Sequence, residues 1–513
     1  MKINGFIRNN AYYDSVSLMQ ISKAVEEQSG VERAMVCMGT DMNKELLKAA
    51  GLLTEEFSSA KPSDLIIAFI IEDHANYDDI AKVIDDKLNE KVKDEKQEDA
   101  PPTSIASAFK RYPDLNMAVI SLPGNYAAQE VRKSLNKGLN VMLFSDNVSL
   151  EDEISLKKLA HEKGLLMMGP DCGTAIINSI GLCFANSIRR GNIGVVGASG
   201  TGTQEVTVLI DHLGGGITQV LGTGGRDLTL EVGGIMMLDS MEALDQDEDT
   251  EVVVLISKPP VEEVAEKILE SAKKSSKPMV ICFINSDERE NAGNLHFVST
   301  LEEAAILSVK LATGKEPASL KDGYDVNEIR DKFLAKRKDT QKYVRGLYCG
   351  GTICDETASI FGEVYPENVY SNVVKVNRLE KGSKSIGNAF IDLGDDEYTV
   401  GRPHPMIEPS LRNSRIIKEA LDPETAVVLF DVELGYGSHR NPAKEAIEAI
   451  KESKLKLALE NRDVLFIAYV LGTKSDLQGY GEQVRMLEDE GVIVAKSNSR
   501  AAKLCLELIG GIR

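Results

Sequence analysis

Apolar and polar residues alternate along this chain in a way that predicts strands followed by helices from its first residues onward. Short apolar runs typical of strands are separated by segments in which apolar residues recur every three or four positions, the spacing of an amphipathic helix. The predicted elements are strands at 2–8, 31–38 and 64–71 and helices at 14–28 and 40–50. The N-terminal segment is therefore predicted to be α/β.

A charged segment interrupts this alternation. Residues 85–102, which read DDKLNEKVKDEKQEDAPP, are poor in large apolar residues and end in two prolines. Such a composition is typical of an exposed helix end followed by a linker. We therefore expect a boundary close to residue 100.

The alternation resumes at residue 116 and continues to the end of the chain, with a second charged connector at 313–342. Continuous Val and Ile runs with a helix between them favour parallel sheets covered on both faces. The predicted fold class is α/β, with several doubly wound parallel-sheet domains of the Rossmann or flavodoxin type. The predicted strands are 116–122, 139–145, 165–168, 192–197, 217–222, 251–257, 278–284, 426–432, 464–470 and 492–496; the predicted helices include 124–137, one that starts at Ser149, 203–213, 235–245, 260–272 and 300–311.

The stretch 191–226 carries the first candidate chemistry. It reads GNIGVVGASGTGTQE at its start, a buried strand that breaks at glycines before helical spacing begins. A turn of this kind leaves backbone N–H groups at a helix N-terminus, where the helix dipole favours an anion. The glycines do not complete a GxGxxG motif and no P-loop lysine follows, so a purely structural turn stays open. The candidate anion-binding residues are Ser199, Gly200, Thr201 and Gly202.

A second glycine turn follows about 20 residues later. The sequence LGTGGRD places Gly224 and Gly225 after a strand and adds the guanidinium of Arg226, which suits a phosphate or carboxylate. Arg226 is therefore a candidate catalytic residue, with a simple pairing between Arg226 and Asp227 as the alternative.

Charge and cysteine content exclude several classes of protein. Lys and Arg number 59 against 80 acidic residues, so the net charge of −21 argues against nucleic acid or an anionic membrane as a partner. The seven cysteines are odd in number and lack zinc spacing, which favours a reduced cytoplasm. No leader pattern opens the sequence, and its longest apolar run, 65–71, is too short to span a bilayer. We expect a cytoplasmic protein without a metal site.

Several motifs resemble those of known families. The elements MMGPDCG, GNIGVVGASGTGTQE and LGTGGRD resemble the NDP-forming acyl-CoA synthetase superfamily, which includes succinyl-CoA synthetase. Across nearly the whole chain, the sequence resembles the FdrA family, of which AllF is a member. The motifs that carry this resemblance are DSVSLM, MGTDMNKELL, LNVMLFSDNVSLEDEI, KGLLMMGPDCGT, GNIGVVGASGTG, GGRDLTLEVGGI, SKPP, GLYCGGT and IDLGDDEYTVGRPHPMIEPSLRN.

The resemblance implies a domain organisation like that of succinyl-CoA synthetase. An N-terminal α/β segment and charged linker would occupy 1–100, and a CoA-binding-like Rossmann domain 101–190. A succinyl-CoA synthetase-like α/β domain would follow at 191–315, and a C-terminal ligase-like domain at 343–513 after a linker at 316–342. The turn Gly350-Gly351-Thr352 resembles the opening of that ligase domain and is a further candidate anion site.

Two departures from the synthetases affect the expected chemistry. The synthetases relay a phosphoryl group through a histidine in a Gly-His-Ala-Gly loop, whereas the corresponding stretch here reads ICFINSDERENAGNLHFVS. The glutamate that orients the histidine in that superfamily falls at Lys258 in this sequence. No ATP-grasp segment is visible. A nucleotide-driven ligase acting by itself is therefore not expected, and Lys258 becomes a candidate catalytic residue, with a solvated lysine as the alternative.

The FdrA resemblance implies a subunit of oxamate carbamoyltransferase, which converts oxalurate and phosphate into oxamate and carbamoyl phosphate in anaerobic allantoin breakdown. It implies two further subunits, AllG-like and AllH-like, as partners. Phosphate and carbamoyl phosphate would be substrates, and no cofactor is firmly implied. CoA is disfavoured because the turn around Cys37 and Gly39 matches no CoA or nucleotide fingerprint. A synthetase-like ligase and a non-catalytic scaffold subunit stay open as alternatives.

The segment 392–409 concentrates Asp, Arg, His and Pro. Arg402 and His404 are candidates for contacting a carboxylate, and Asp395 with Asp396 for holding a metal, against a loop closed by its own hydrogen bonds. Cys172 is a nucleophile by position, although a buried free cysteine is the more common case.

Overall fold

The N-terminal sheet is antiparallel, although its sequence alternates strands with helices. In the computed structural model, β1 (Lys2–Arg8) and β2 (Val31–Met38) are connected by α1 (Ser15–Glu26). They run in the same direction but are not neighbours, because β3 (Leu65–Ile71) lies between them and is antiparallel to both. β3 occupies the centre because its run LIIAFII is apolar on both faces. Alternate residues of β3 therefore pack into two separate cores, one on each side of the sheet.

The chain divides into two units, Met1–Arg111 and Tyr112–Arg513. The structure describes residues 2–11, 13, 15–26, 28, 30–72, 77–89, 101–286, 289–399 and 402–510. Most of the charged linker predicted before residue 100 lies outside the described residues. The other elements of the first unit are α2 (Asp41–Ala49), α3 (Glu55–Ser58), α4 (Tyr77–Asn89) and α5 (Ile105–Arg111).

The second unit begins with a small parallel sheet in the order β4-β5-β6. A seven-stranded sheet follows in the order β13-β12-β11-β9-β10-β7-β8, parallel except for the hairpin formed by β7 and β8. The elements up to residue 313 are β4 (Met117–Ile120), α6 (Gly124–Asn136), β5 (Asn140–Leu143), α7 (Leu150–Glu162), β6 (Met167–Met168), β7 (Thr174–Ile177), β8 (Ile180–Cys183), β9 (Arg190–Gly197), α8 (Gly200–His212), β10 (Ile217–Gly222), α9 (Ile235–Gln246), β11 (Val252–Ser257), α10 (Glu262–Ala272), β12 (Met279–Phe283), β13 (Leu295–Phe297) and α11 (Leu301–Thr313).

A six-stranded sheet completes the second unit, all parallel, in the order β15-β16-β14-β17-β18-β19. Its central strand β17 is buried along its whole length, as expected of a strand covered on both faces. The remaining elements are α12 (Val326–Lys336), β14 (Tyr343–Tyr348), α13 (Gly351–Val364), β15 (Val369–Ser371), β16 (Asn388–Asp392), α14 (Asp396–Thr399), α15 (Ser410–Leu421), β17 (Thr425–Glu433), α16 (Pro442–Leu459), β18 (Leu465–Leu471), α17 (Tyr480–Asp489), β19 (Ile493–Ala495) and α18 (Asn498–Gly510).

One apolar core joins the two larger sheets. Residues of α8 and α11, which cover one face of the seven-stranded sheet, pack in the same cluster as residues of α13 and α18 on the six-stranded sheet. Separate cores cover the outer faces of the two sheets. The helices α8 and α13 therefore lie in a shared central layer, which brings their N-termini to the same region.

The predicted α/β class with several parallel sheets is confirmed. The sequence patterns did not reveal the β7–β8 hairpin or the short strands β15 and β16. The predicted boundaries at 190, 315 and 342 all lie inside the second unit. Within the described ranges, no helix combines the length and the apolar character needed to cross a bilayer.

Candidate functional site

A cavity of about 850 Å³ opens at the carboxyl ends of the parallel strands of the second unit. The residues that follow β4, β5 and β6 line it, together with those that follow β9, β10 and β11. The segments after β14 and β16 complete the lining. Loops at the carboxyl ends of parallel strands are the usual place for ligands in such folds, because the adjoining helices start there.

The first of these helix starts belongs to α8. Ser199 is its N-cap and accepts a hydrogen bond from the Gly202 N–H at 3.0 Å. The same hydroxyl is 2.5 Å from Thr352 Oγ1, so it also links the start of α8 to the start of α13. The Ser199 side chain is therefore occupied in holding the two turns. The amides of Gly200 and Thr201 are left as the donors of this turn.

The start of α13 faces the start of α8 at very short range. A Cβ atom on Gly350 would lie 2.4 Å from Thr201 Cγ2, and one on Gly202 would lie 2.7 Å from Thr352 Cγ2. Glycine at 202 and 350 is thus required by the approach of the two helices. Gly350 is the N-cap of α13 and no side chain caps that helix. The first-turn amides of Gly351 and Thr352, which both line the cavity, consequently have no side-chain cap.

Lys258 supplies a positive charge beside these helix starts. It follows β11, lines the cavity and is exposed to it. Its charge lowers the pKa values of Asp355 and Asp392, although burial is the larger influence and raises both. Among the described residues, none holds Lys258 in an ion pair. An ammonium and two helix N-termini in one place have the charge that favours a small multivalent anion, so these residues are a candidate anion site.

Asp392 is the last residue of β16 and lies against the start of α13. Its side chain is buried, and Oδ1 accepts a hydrogen bond from the Gly394 N–H at 2.8 Å. Burial raises the pKa of Asp392 to about 7, and the negative charges of Asp395 and Asp431 add to this effect. The Gly394 N–H and Lys258 oppose it.

The cavity wall also carries several acidic residues. Asp146, Asp171, Asp395 and Asp396 all line it. Desolvation raises the pKa of Asp171 to about 7, and the charges of Asp396 and Asp146 raise it further. The pKa of Asp396 is also raised, again chiefly by desolvation. Within the described residues, no group of three or more His, Cys, Asp or Glu side chains is arranged to hold a metal ion.

Arg226 does not line the cavity, because α7 holds its guanidinium. Arg226 Nε is 2.8 Å from Glu153 Oε2, and Nη2 donates to the Val148 carbonyl at 2.8 Å. Asp227 is fully buried and pairs with Lys157 at 2.8 Å. The suggested pairing of Arg226 with Asp227 is therefore wrong, since each finds its partner on α7. These contacts fix the turn that carries Gly224 and Gly225.

His404 and Arg402 both reach the cavity from the loop after α14. Burial lowers the pKa of His404 to about 4, so its imidazole is neutral at physiological pH. Its Nδ1 accepts a hydrogen bond from the Met406 N–H at 3.3 Å, which leaves the ring proton on Nε2. The Arg402 side chain is exposed. The two residues supply one neutral donor and one cation.

The cysteines of the cavity wall are buried thiols. Burial raises the pKa of Cys172 to about 12, and its Sγ lies 3.6 Å from the Thr174 carbonyl oxygen. Burial also raises the pKa of Cys349, whose backbone N–H donates to Asp431 at 2.7 Å. Thiols held in the protonated form are poor nucleophiles. Cys172 thus has the properties of the buried free cysteine, not of a reactive one.

The structure brings most of the predicted site residues together. Gly202 and Arg226 are the exceptions, since neither contributes to the lining. Gly202 instead donates its N–H to Ser199. The predicted residues that line the cavity are Ser199, Gly200, Thr201, Gly224, Gly225, Lys258, Gly350, Gly351, Thr352, Arg402 and His404.

Asp146, Asp171 and Asp392 are acidic residues of this site that the sequence patterns did not reveal. The sequence patterns predict a polar loop that begins at Asp392, whereas Asp392 is the last residue of the five-residue strand β16, NAFID. A short apolar run that ends in an acid and is followed by glycine, as in IDLGDD, is the signal that would have indicated a strand end. Asp171 follows Pro170 and has a φ of +57°, a conformation that an aspartate tolerates in a turn.

Comparison with known proteins gives a relative that matches the chain from end to end. The sequence is 47% identical over 516 residues to the YahF protein of Escherichia coli (strain K12), and the match covers 99% of each chain. A family model described as the heavy metal-associated domain of AllF matches residues 1–103. The chain belongs to the FdrA family. The family predicted from the motifs is thereby confirmed.

The second unit of this FdrA protein matches models of the succinyl-CoA synthetase-like superfamily. A model described as the CoA binding domain matches 188–284, and one described as CoA-ligase matches 347–507. The chain is 29% identical over 168 residues to a succinate–CoA ligase α subunit of Archaeoglobus fulgidus, covering 32% of this chain and 56% of that subunit. Among solved structures, PH0766 from Pyrococcus horikoshii OT3 aligns over 81% of this chain and 87% of its own, with 14% identity and a TM-score of 0.31.

The name of the N-terminal model implies a heavy metal, but the described residues do not fit one. Cys37 is the one cysteine of residues 1–111. It is buried in β2, and burial raises its pKa to about 12. A metal ligand must be a deprotonated thiol with further donors nearby, and no such group of donors exists among the described residues. The described residues of the FdrA N-terminal unit therefore do not form a heavy-metal site.

Proposed function

We propose that this chain is the phosphate-binding subunit of an oxamate carbamoyltransferase, which transfers the carbamoyl group of oxalurate to phosphate. The observation that carries the proposal is the meeting of the α8 and α13 N-termini beside Lys258 in one cavity. Membership of the FdrA family, with the match to the AllF domain, supports the reaction class. The partners would be AllG-like and AllH-like subunits.

The geometry suits the demands of phosphate as a nucleophile. The amides of Gly200, Thr201, Gly351 and Thr352 and the Lys258 ammonium would together surround the phosphate oxygens. Such donors are fixed before the ligand arrives, so they cost little reorganisation during the reaction. Lys258 would keep the charge of the dianion compensated while one oxygen attacks the ureido carbon.

The acidic residues of the cavity wall suit the ureido group of oxalurate. That group carries three N–H bonds, and the carboxyl groups of Asp171 and Asp396 are acceptors on the wall of the same cavity. Arg402 and His404 would then contact the oxalurate carboxylate or the developing oxyanion.

The test compares phosphorolysis of oxalurate by the FdrA protein alone with that by the protein mixed with its two partner subunits. We expect formation of carbamoyl phosphate that requires phosphate and is strongest in the mixture. A matched pair of variants, Lys258→Ala in the cavity and Lys315→Ala in the exposed connector, ties the activity to the site. A mixture that does not convert oxalurate would overturn the proposal.

A second candidate is a synthetase-like ligase, favoured by the matches to the CoA-binding and CoA-ligase models. Thermal stabilisation of the protein by CoA at micromolar concentration, with none by phosphate, would favour this second candidate.

A further inference from the structure

Asp392 is held in a fixed position although no predicted role accounts for it. Its backbone N–H donates to Asn372 Oδ1 at 2.8 Å, and its carbonyl accepts from Asn372 Nδ2 at 2.9 Å. Both residues are buried, with Asp392 only 6% exposed. Burying a carboxyl group costs desolvation free energy, and the backbone of Asp392 is held in place by two hydrogen bonds. Such a placement indicates a functional role.

The two carboxyl oxygens of Asp392 have different surroundings. Oδ1 accepts the Gly394 N–H. Oδ2 faces the first residue of α13, since a Cβ atom on Gly351 would lie 2.6 Å from it and 3.8 Å from Lys258 Nζ. Asp392 also lines the cavity. Oδ2 is therefore placed beside the candidate anion site formed by Gly351 and Lys258.

The charges around Asp392 come from several elements. Lys258 approaches from the end of β11, Asp395 from its own loop, and Asp431 with Glu433 from β17. Asp355 and Cys354 of α13 are also near Lys258 and Asp392. Burial together with the negative charges of Asp395 and Asp431 raises the pKa of Asp392 to about 7 despite Lys258. A dianion bound at the start of α13 would favour the protonated carboxyl further, because like charges repel.

We propose that Asp392 is a further catalytic residue, the acid that protonates the departing nitrogen of oxamate. This inference rests on the proposed function. The leaving group of carbamoyl transfer is an amide nitrogen, which cannot depart as a bare anion. It needs a proton donor within the anion site, and Asp392 Oδ2 is the carboxyl oxygen placed there.

The step balances without any further reactant. A phosphate oxygen forms a bond to the ureido carbon, and the bond from that carbon to the oxamate nitrogen breaks with its electron pair going to nitrogen. The nitrogen takes the proton from Asp392. The proton that the hydrogen phosphate carried passes to the Asp392 carboxylate, so the residue is restored. The products are carbamoyl phosphate and oxamate, with the same total charge as the reactants.

The first test measures proton uptake when the full chain binds sulfate or phosphate. Calorimetry at about pH 8 in two buffers of different ionisation enthalpy gives the number of protons taken up. Sulfate cannot accept a proton at this pH, so any uptake with sulfate must come from the protein. We expect the wild type to take up about one proton more than Asp392→Asn, and the exposed control Asp339→Asn to match the wild type.

The second test uses the assembled enzyme with oxalurate and phosphate. Asp392→Asn should lower kcat by about 10²- to 10⁴-fold, the usual worth of a general acid, while the KM for phosphate changes little. The wild-type kcat should fall as pH rises above about 7, because the acid loses its proton, and the residual rate of the variant should lack this fall.

The outcomes separate the two proposals. If sulfate and phosphate do not bind, the anion site and with it the role of Asp392 are overturned. If they bind without proton uptake by the wild type, only the role of Asp392 is overturned, and this result does not depend on any variant being folded. An Asp392→Asn enzyme with wild-type kcat and pH profile would overturn the role of Asp392 while leaving the carbamoyltransferase intact.

Discussion

At the scale of single residues, Lys258 is the feature of the cavity that most sharply separates this chain from a phosphohistidine relay. It lies beside the uncapped start of α13, and its charge acts on the buried carboxyls of Asp355 and Asp392. A lysine with this exposure to a cavity can exchange its water contacts for a ligand. Its contribution is therefore measurable as anion affinity.

We expect Lys258→Ala to raise the KM for phosphate by about 10- to 100-fold, because a charge-assisted hydrogen bond is worth about 1.5–3 kcal/mol. Steady-state kinetics of the assembled enzyme measures the change, with Lys315→Ala as the matched control. Unaltered KM and kcat would assign Lys258 to the solvated surface.

Gly200→Asp is expected to abolish stabilisation by phosphate while the protein stays folded. A Cβ atom at Gly200 would have only Thr174 Oγ1 near it, at 3.9 Å, so the fold has room for a side chain. The added carboxylate would repel an anion at the start of α8. Ligand-induced thermal shift with phosphate and carbamoyl phosphate, alongside circular dichroism, tests this.

The control for that experiment is Gly200→Ala, which adds a Cβ atom without charge. Gly202→Ala is unsuitable, because its methyl group would lie 2.7 Å from Thr352 Cγ2 and would force the two helices apart. A wild-type shift and turnover in folded Gly200→Asp protein would mean that the turn is purely structural.

At the scale of elements, α8 and α13 are held together by a buried polar connection with α18. The Asn498 N–H donates to Glu205 of α8 at 3.1 Å, and Asn498 Nδ2 donates to Glu356 of α13 at 2.8 Å. All three side chains are buried. Because Glu205 and Glu356 lie on the helices that start at the cavity, this connection sets the relative position of the two N-termini.

We expect Asn498→Ala to lower the free energy of unfolding by about 1–3 kcal/mol, because it leaves a buried acceptor of Glu356 without its donor. Denaturant unfolding measures the loss. The exposed Asn327 of α12 provides the control Asn327→Ala, which should change stability by no more than about 0.5 kcal/mol. Equal stabilities of the two variants would contradict a role for Asn498 in joining the helices.

At the scale of the whole molecule, the chain combines a net charge of −21 with carboxyl groups buried in its second unit. Burial raises the pKa values of Glu205, Glu356, Asp392 and Asp431. Groups of this kind bind protons more tightly in the folded state than in the unfolded chain. Their combined effect opposes folding as pH rises.

The pH dependence of the contribution that Asp392 makes to the free energy of unfolding follows from its pKa. This pKa is about 7 in the folded protein, against an ordinary value of 3.8. Its favourable contribution is complete below the ordinary value and is lost as pH rises through about 7. Asp392→Asn should therefore gain stability relative to the wild type as pH rises from about 5 to about 8. Denaturant unfolding at intervals across this range checks the trend, and parallel curves for the two proteins would contradict it.

We further expect that the protein does not form a phosphohistidine. The loop between β12 and β13 lacks the Gly-His pair, and His296 lies within β13 without lining the cavity. Incubation with labelled ATP, or with acetyl-CoA and labelled phosphate, tests this. Acid-labile, base-stable label on the protein would contradict it, and its loss in His404→Ala would assign the label to the histidine of the cavity wall.

The resemblance of its motifs predicted the FdrA family. The sequence patterns themselves predicted the α/β class and the glycine turns of the cavity wall. These properties are local, because strand periodicity and glycine turns are written in neighbouring residues. Gly350 and Gly351 were found for this reason, as each follows directly from a strand–glycine–helix pattern. Short elements without clear periodicity, such as β16 and the β7–β8 hairpin, were missed.

Only the tertiary structure decided which candidates share one site. Thr352 and Ser199 are 153 positions apart in the sequence and meet because α8 and α13 pack in one core. The ion pair with Glu153 of α7 keeps Arg226 out of the cavity lining, and no local sequence pattern encodes this contact. The pKa of Asp392 is raised chiefly because the fold buries its side chain. Charge and burial depend on every neighbour in space, and the linear sequence specifies those neighbours only through the complete fold.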